Sequence, residues 1–281
     1  MSATRRGRIA LVVAVLIAAA AAGWWFTRDT ADPAEHNITL DHFTVSSSTL
    51  GERDEVALRS ESSAPHPPLL VLLHGRGMSP EGFVSDELLS ALEGEGRKAP
   101  GVVLLDGGES SYWHDRQDGD WGFYVVSEAI PRAIEELDAD PDRVAIGGIS
   151  MGGFGALDLA RLYPDRFCAV GAHSPALWRD GSETPAGAFD DAEDFELHDL
   201  FHIVEEGFHF GIPVWLDVGL DDPFFTTAGD LGRLLQKKDD VTLRLWPGAH
   251  NTAYWWSHMD QYIDFYTDAL ASCGRSGSPG G

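Results

Sequence analysis

The pentapeptide GISMG at 148–152 has the G-x-S-x-G spacing of a serine nucleophile. It follows a short apolar run at 144–146 and precedes a helical pattern, which is the strand–turn–helix context that a nucleophile elbow requires. The turn is so tight that the residues two before and two after the serine must lack bulk, which explains Gly148 and Gly152. The pattern predicts that Ser150 is a catalytic nucleophile; the alternative is a plain helix N-cap serine.

A serine hydroxyl attacks efficiently only when a base accepts its proton, and in this arrangement the base is a histidine late in the chain. His250 fits because it follows the predicted strand 241–246, and the small residues before it keep the loop slim. His173, at a predicted strand end, is the chief rival. His114 and His258 are less well placed.

A carboxylate should hold the tautomer of that histidine, and it should lie between serine and histidine in the chain. The segment GLDDP at 219–223 follows the predicted strand 213–218, and its acidic residues could reach the histidine. Asp222 is the preferred acid, and Asp221 is the second choice. Asp217 lies within the strand and is expected to be structural.

An oxyanion needs two preorganised backbone N–H donors. One should come from Met151, the residue after the nucleophile, and the other from the loop after an early strand. The segment HGRG at 74–77 occupies that loop. The N–H of Arg76 is preferred and that of Gly77 is second, whereas His74 is expected to be structural.

The elements that must position these residues alternate between strands and helices, which argues for a mostly parallel sheet with helices on both faces. Pro131 predicts a kink or a late helix start. The acidic stretch 179–201 is expected to be irregular, as an insertion beside the site. Strands are predicted at 38–46, 55–60, 69–73, 102–105, 144–146, 169–172, 213–218 and 241–246, and helices near 125–137, 150–163, 228–237 and 252–271.

The composition excludes several classes of protein. Apolar residues make up 43% of the 281 residues and charged residues 23%, which is typical of a globular chain and not of a disordered one. Lys and Arg total 20 against 45 Asp and Glu, giving a formal charge of −25. A surface this acidic repels phosphate backbones, so no nucleic-acid partner is expected.

The N-terminal segment indicates where the protein is located. Residues 9–26 form an uncharged run preceded by three arginines, and as a helix they would span about 27 Å, close to the apolar thickness of a bilayer. An uncleaved membrane anchor is the preferred interpretation, a cleaved signal peptide is the second, and a buried helix of the fold is the third. The first two place the remainder of the chain outside the cytoplasm.

The predicted boundaries follow from these composition changes. They are a cytoplasmic basic arm (1–8), an anchor or signal (9–26), a linker (27–37), a catalytic domain (38–273) and a disordered tail (274–281). Cys168 and Cys273 could form one bridge in an exported domain. No metal or organic cofactor is expected, because no local spacing of metal ligands is evident.

The chain resembles the esterase group of the α/β-hydrolases, which includes S-formylglutathione hydrolase-like esterases, feruloyl esterases and antigen 85 mycolyltransferases. The resemblance covers about residues 60–270. It implies an α/β-hydrolase fold with Ser150 as nucleophile, Asp222 as acid and His250 as base. The segments that carry it are HGRG, EAIPRAIEELDADPDRVAIGGISMGGFGALDLARLYPDRF, HSPALW, GLDDP and PGAHNTAYWWSHM.

These observations predict a carboxylic-ester hydrolase that acts through an acyl-enzyme on a small-molecule, lipid or glycan ester. An acyltransferase that acts on cell-envelope sugars or lipids is the alternative, since it would use the same chemistry with a different acceptor. A non-catalytic binding domain with a degenerate site is a third hypothesis.

Overall fold

The computed structural model describes residues 36–273 of the chain. Eight strands form one sheet in the order β1-β2-β4-β3-β7-β8-β9-β10, and two short strands form a separate hairpin. The strands are β1 (Ile38–Ser47), β2 (Gly51–Ser60), β3 (Leu69–Leu73), β4 (Gly101–Leu105), β5 (Asp115–Arg116), β6 (Gly119–Asp120), β7 (Val144–Ile149), β8 (Val170–His173), β9 (Val214–Gly219) and β10 (Val241–Trp246).

The predicted mostly parallel α/β sheet is confirmed. Strands β4, β3, β7, β8, β9 and β10 run parallel, whereas β1 and β2 pair antiparallel at one edge. Strands β3, β4 and β7 are buried along their whole length, as expected for strands covered on both faces. Parallel strands end at the same edge, so the loops after β3, β7, β9 and β10 meet there.

Helices cover both faces of this sheet, and each face has its own apolar cluster. One cluster includes buried residues of α3, α4, α6 and α7, and the other includes buried residues of α1, α8 and α9. The helices are α1 (Asp86–Gly94), α2 (Trp121–Phe123), α3 (Ile130–Leu137), α4 (Met151–Leu162), α5 (Ala192–Leu197), α6 (Leu200–Glu205), α7 (Phe225–Leu235), α8 (Thr252–Trp256) and α9 (Met259–Ser272).

The expected single C-terminal helix over 252–271 is wrong, because the structure has two helices there. The break falls at Ser257 and His258. The Ser257 hydroxyl donates to the Tyr254 carbonyl at 2.8 Å, and Nδ1 of His258 lies 2.7 Å from the same oxygen. Two side chains thus bond to the Tyr254 carbonyl near the end of α8. A separate helix, α9, begins at Met259.

Pro131 lies at the start of α3, as a late helix start would place it, but a helical segment already precedes it. A π-helical turn over Tyr124–Ala129 follows α2 and leads directly into α3, where the proline occupies the first turn. Proline is tolerated in a first turn because it has no N–H to donate.

The expectation that 179–201 is irregular holds for 184–191 and is wrong for most of the rest of the segment. The segment contains a 3-10 turn at Gly181–Glu183, helix α5 and the start of α6. Its aspartates act as helix caps: Asp191 accepts from Asp194 N at 3.0 Å, and Asp199 accepts from Phe201 N at 3.0 Å. We refer to 179–201 as the acidic segment.

The predicted basic arm, the 9–26 anchor and the tail lie outside the described residues, as does nearly all of the linker. Among residues 36–273, no helix is long and apolar enough to cross a bilayer. Cys168 and Cys273 are joined by a disulfide with their Cα atoms 5.7 Å apart. This bridge ties the end of α9 to the segment that leads into β8.

Glu55 is a fully buried acid in β2. Its Oε2 accepts from the backbone N–H of Asp106 at 2.6 Å, and its other oxygen accepts from the Tyr124 hydroxyl. Desolvation raises the pKa of Glu55 to about 8, although these hydrogen bonds oppose the shift. The folded protein therefore holds a proton on this carboxyl at pH values where the unfolded chain has lost it.

We expect the free energy of unfolding to fall as pH rises from about 4.5 to about 8, because the protonated Glu55 favours the folded state below that window. Glu55→Gln should remove this component. Between these two pH values, the free energy of unfolding of the native protein should fall by about 4 kcal/mol more than that of the variant, as measured by urea unfolding. The exposed Glu52→Gln is the control; parallel stability curves for native protein and Glu55→Gln would contradict the expectation.

Candidate active site

Ser150 stands at the turn between β7 and α4 with φ 56° and ψ −113°, a conformation that is uncommon for a residue with a side chain. The serine occupies the N-cap position of α4, yet its side chain makes no capping hydrogen bond. The N-cap alternative therefore fails. The hydroxyl is free to point away from the helix.

The two glycines of the turn are required by close contact between backbones. A Cβ at Gly148 would lie 2.5 Å from the carbonyl oxygen of Gly152 and 2.6 Å from that of Leu73. A Cβ at Gly152 would lie 2.5 Å from the carbonyl carbon of Leu73. The steric reason expected from the sequence is thus present, and the clash partner includes the neighbouring strand β3.

His250 connects the serine to an acid. Its Nε2 lies 2.8 Å from Ser150 Oγ, and its Nδ1 lies 2.8 Å from Asp222 Oδ2. A carboxylate only accepts hydrogen bonds, so Nδ1 carries the proton and Nε2 can accept from the serine hydroxyl. Phe224 and Trp255 flank the imidazole with ring centroids at 5.3 and 5.1 Å, which restricts its rotation.

Asp222 is fixed through both of its oxygens. Its side chain is completely buried, and Oδ1 accepts from the backbone N–H of Phe224 at 2.8 Å while Oδ2 faces His250. Asp221 is exposed at the surface. The structure thus brings the preferred acid, and not the second choice, to the imidazole.

The loops that carry the acid and the histidine are joined to each other. The N–H of Leu220 donates to the Trp246 carbonyl, and the N–H of Asp221 donates to the Gly248 carbonyl, both at 2.8 Å. Gly219 packs directly against Gly248, where a Cβ would clash with the backbone. Adjacent strand ends and slim loops therefore set the spacing of Asp222 and His250.

The rival pair His173 and Asp217 lies in a separate, fully buried network. Nδ1 of His173 is 2.7 Å from Asp217, and Nε2 is 2.9 Å from the Tyr266 hydroxyl. Asp217 also accepts from Trp215, Tyr254 and Tyr262 at 2.8 Å each. Because both ring nitrogens are occupied within the core, His173 has no nitrogen available to Ser150.

The two other candidate bases are also occupied elsewhere. The ring of His258 stacks on Trp246 with centroids 4.0 Å apart, and its Nδ1 faces the Tyr254 carbonyl. His114 is buried beside Asp194, 3.2 Å from its carboxylate. Neither histidine bonds to Ser150.

The 74–77 loop lies against the nucleophile, since a Cβ on Gly75 would be 3.5 Å from the Cβ of Ser150. The N–H of Gly77 donates to the Glu109 carbonyl at 2.9 Å. Within residues 36–273, the N–H groups of Arg76 and Met151 have no protein acceptor. Both preferred donors are therefore available, and the second-choice donor Gly77 is already used.

His74 holds this loop in place, which agrees with the structural role expected from the sequence. Its Nδ1 lies 2.8 Å from the Gly75 carbonyl, while its Nε2 accepts from the N–H of Gly107 at 3.1 Å. Burial lowers the pKa of His74, and the neutral ring suits a nitrogen that must accept. Trp113 Nε1 adds a bond to the His74 carbonyl at 3.2 Å.

Sequence reasoning also missed an aromatic wall that leads from the imidazole to the acidic segment. Phe224 contacts His250 and also Trp178, at a centroid distance of 5.5 Å. Trp178 in turn contacts Tyr112 at 5.7 Å and Phe189 at 6.4 Å. These residues come from four separate segments, so no local pattern could have indicated the wall.

The arrangement has the connections that activation of a hydroxyl requires. A proton on Ser150 Oγ can pass to His250 Nε2 along an existing hydrogen bond, and Asp222 faces the imidazolium that would result. Two unoccupied N–H groups lie on the segments that adjoin the serine. Acyl transfer needs these three elements.

Comparison with known proteins identifies a family. The family described as Putative esterase matches residues 47–263, which is most of the chain. The matched range contains Ser150, Asp222 and His250. The resemblance inferred from the sequence is confirmed.

Among curated proteins, the MPT51/MPB51 antigen of Mycobacterium tuberculosis is 28% identical over 182 residues, covering 64% of this chain and 60% of that protein. The chain thus matches about three fifths of the length of this relative. A diacylglycerol acyltransferase/mycolyltransferase, Ag85A of Mycobacterium leprae, is 26% identical over 150 residues, with coverage of 50% and 45%.

Among solved structures, a ferulic acid esterase superposes with a TM-score of 0.73. The alignment covers 84% of this chain and 99% of that one, at 20% sequence identity. This likeness concerns the fold alone, an α/β arrangement with a mostly parallel central sheet and helices.

We expect Gly152→Ala to destabilise the protein by about 3 kcal/mol or more, because the new Cβ would meet the backbone of Leu73. Gly94→Ala, where no atom lies within 4 Å of the added Cβ, should change stability by less than about 1 kcal/mol. Urea unfolding of both variants measures the difference. Equal stability would show that the close contact at the turn is not required.

Proposed function

The chain belongs to this esterase family, and we propose that it is a serine-dependent carboxylic-ester hydrolase. The observation that carries the proposal is the continuous hydrogen-bonded chain from Ser150 through His250 to Asp222, with 2.8 Å at each link. Family membership supports the same assignment.

In the proposed acylation step, Oγ of Ser150 attacks the ester carbonyl carbon while Nε2 of His250 takes the hydroxyl proton. The tetrahedral intermediate collapses with loss of the alcohol, and His250 returns the proton to that leaving oxygen. Asp222 keeps the imidazole in the tautomer that can accept at Nε2 and stabilises its charged form. The product is an acyl-Ser150 ester.

The N–H groups of Met151 and Arg76 are the proposed donors to the oxyanion. Met151 begins α4, so its N–H has no acceptor within the helix and lies at the positive end of the helix dipole. Loss of one such donor typically lowers kcat by about 100- to 1000-fold. Side-chain substitution cannot remove a backbone N–H. The assignment of Arg76 as an oxyanion donor therefore rests on the position of the 74–77 loop beside Ser150.

Deacylation repeats these steps with a second nucleophile. In a hydrolase, His250 takes a proton from water, the resulting hydroxide attacks the acyl carbon, and Ser150 leaves with the proton returned to its oxygen. The partly exposed Phe224 and Trp178 of the aromatic wall offer apolar contact for an acyl or alcohol group. We therefore expect a small-molecule or lipid ester as substrate.

The second candidate is an acyltransferase, in which an alcohol of a sugar or lipid replaces water in deacylation. Similarity to the protein named diacylglycerol acyltransferase/mycolyltransferase Ag85A favours its consideration. The two functions share every residue assigned above and differ only in the acceptor. The product formed in the presence of an added alcohol distinguishes the two functions: a hydrolase releases the free acid, and an acyltransferase forms a new ester.

We propose that the catalytic domain, 38–273, acts outside the cytoplasm. The Cys168–Cys273 disulfide supports this location, because such bridges persist in oxidising compartments. The uncharged run 9–26 supports it independently, as either an anchor or a cleaved signal.

We expect a fluorophosphonate to label Ser150 and no other residue, because its Oγ is bonded to the imidazole of His250, which Asp222 orients. Ser150→Ala should lose the label and lower kcat on p-nitrophenyl esters by about 10⁵-fold or more. Mass spectrometry of the adduct and an acyl-chain series measure the two results. Adding glycerol or trehalose to the assay shows whether acyl groups move to an alcohol. Full activity of Ser150→Ala would refute the mechanism.

The acid assignment has its own matched pair. Asp222→Asn should lower kcat by about 10⁴-fold, since the imidazole would lose the carboxylate that fixes its tautomer. Asp221→Asn, one residue away and exposed, should change kcat less than about threefold. Steady-state kinetics on one ester compares them, and the reverse order of effects would reassign the acid to Asp221.

A further inference from the structure

His114, Asp194 and His198 bring two imidazoles and a carboxylate together away from the candidate active site. His114 Nε2 lies 3.2 Å from Asp194 Oδ2, and His198 Nε2 lies 3.6 Å from Asp194 Oδ1. Ligand atoms from the three side chains all lie within 4.8 Å of one another. We propose that these residues bind a zinc ion that fastens the acidic segment to the body of the protein.

The donor types and spacing suit zinc. Two imidazole nitrogens and one carboxylate oxygen are common zinc ligands, with metal–ligand distances of about 2.0–2.2 Å. Ligands in a tetrahedron of that size are about 3.4 Å apart. Nε2 of His114 and Nε2 of His198 lie 3.2 and 3.6 Å from the two different oxygens of Asp194, and one ligand atom from each side chain lies within 4.8 Å of the others. Zinc binding therefore requires side-chain rotations that shorten the longest of these separations.

A further carboxylate orients one of the ligands. Nδ1 of His198 lies 2.7 Å from Oδ2 of Asp158, a buried acid on α4. The bond directs the proton to Nδ1 and leaves the lone pair of Nε2 facing Asp194. Metal-bound histidines generally have such a partner on the other nitrogen. Arg161 pairs with the remaining oxygen of Asp158, so this acid is not itself needed as a ligand.

The site is enclosed on one side and open on the other. The side chain of His114 is fully buried, while those of Asp194 and His198 are 13% and 12% exposed. All three line a cleft of about 410 Å³ that also contains Tyr163 and Leu197. Three protein ligands leave a fourth position, which a water molecule from this cleft would fill.

The ligands come from two parts of the chain, so the ion would act as a cross-link. His114 follows β4, whereas Asp194 and His198 belong to the acidic segment, 80 residues from His114 in the case of Asp194. Phe189 of the same segment stacks on His114 at 5.0 Å and contacts Trp178 of the aromatic wall. Zinc would therefore fix one boundary of the candidate active site.

The test uses the full chain without a histidine tag, stripped with EDTA and titrated with zinc chloride against a chromophoric chelator. We expect one zinc per chain with a Kd below about 1 µM. The melting temperature should rise by about 5–10 °C at a free zinc concentration 100 times Kd. Cobalt substitution should give the intense visible bands of a tetrahedral site.

His198→Gln and Asp194→Asn should each weaken zinc binding by about 100-fold or more. The matched controls His202→Gln and Glu196→Gln, exposed on α6 and α5, should bind as the native chain does. Circular dichroism checks that each variant folds, and the partly exposed Asp194 provides a second variant if His198→Gln does not. The proposal is overturned by no zinc binding at roughly 100 µM, by unchanged binding in both ligand variants, or by an octahedral cobalt spectrum.

Discussion

The contact between the β7–α4 turn and the end of β3 is the constraint on which the rest of the site depends. Gly152 lies directly against the backbone of Leu73, so the nucleophile turn and the start of the 74–77 loop are held together. One contact therefore holds the turn that carries Ser150 against the start of the 74–77 loop. The strained φ at Ser150 persists because the surrounding sheet is buried and regular.

Two Asp–His pairs, one within the sheet and one in the loops beyond it, show how environment decides what such a pair can do. Asp217 accepts from four side chains, including tyrosines of α8 and α9, and so holds those helices against β9. Its partner His173 has no free nitrogen. Asp222 instead lies in a loop beyond the strand end, and its partner His250 keeps one nitrogen directed at Ser150.

Some of the acidic residues behind the chain's large negative charge have structural roles in addition to contacting solvent. In the acidic segment Asp191 and Asp199 cap the N-termini of α5 and α6, and Asp194 faces two imidazoles. The sequence interpretation of this stretch as irregular failed outside 184–191 because aspartate is typical of loops and also of N-caps, and composition does not separate the two. Sequence spacing did not bring His114 into the cluster, because it lies 80 residues before Asp194, whereas Asp194 and His198 are four residues apart.

The sequence by itself determined the parallel sheet, the strand β10 at 241–246 and the turn at Ser150, because periodicity and the bulk of neighbouring residues act over a few positions. It also narrowed the acid and the base to short sets of residues. Only the tertiary structure decided that Asp222 rather than Asp221 or Asp217 faces His250, and that α8 and α9 are separate helices. The reason is physical: distances between side chains far apart in the chain are set by how strands and loops pack, and spacing in the sequence does not fix those distances.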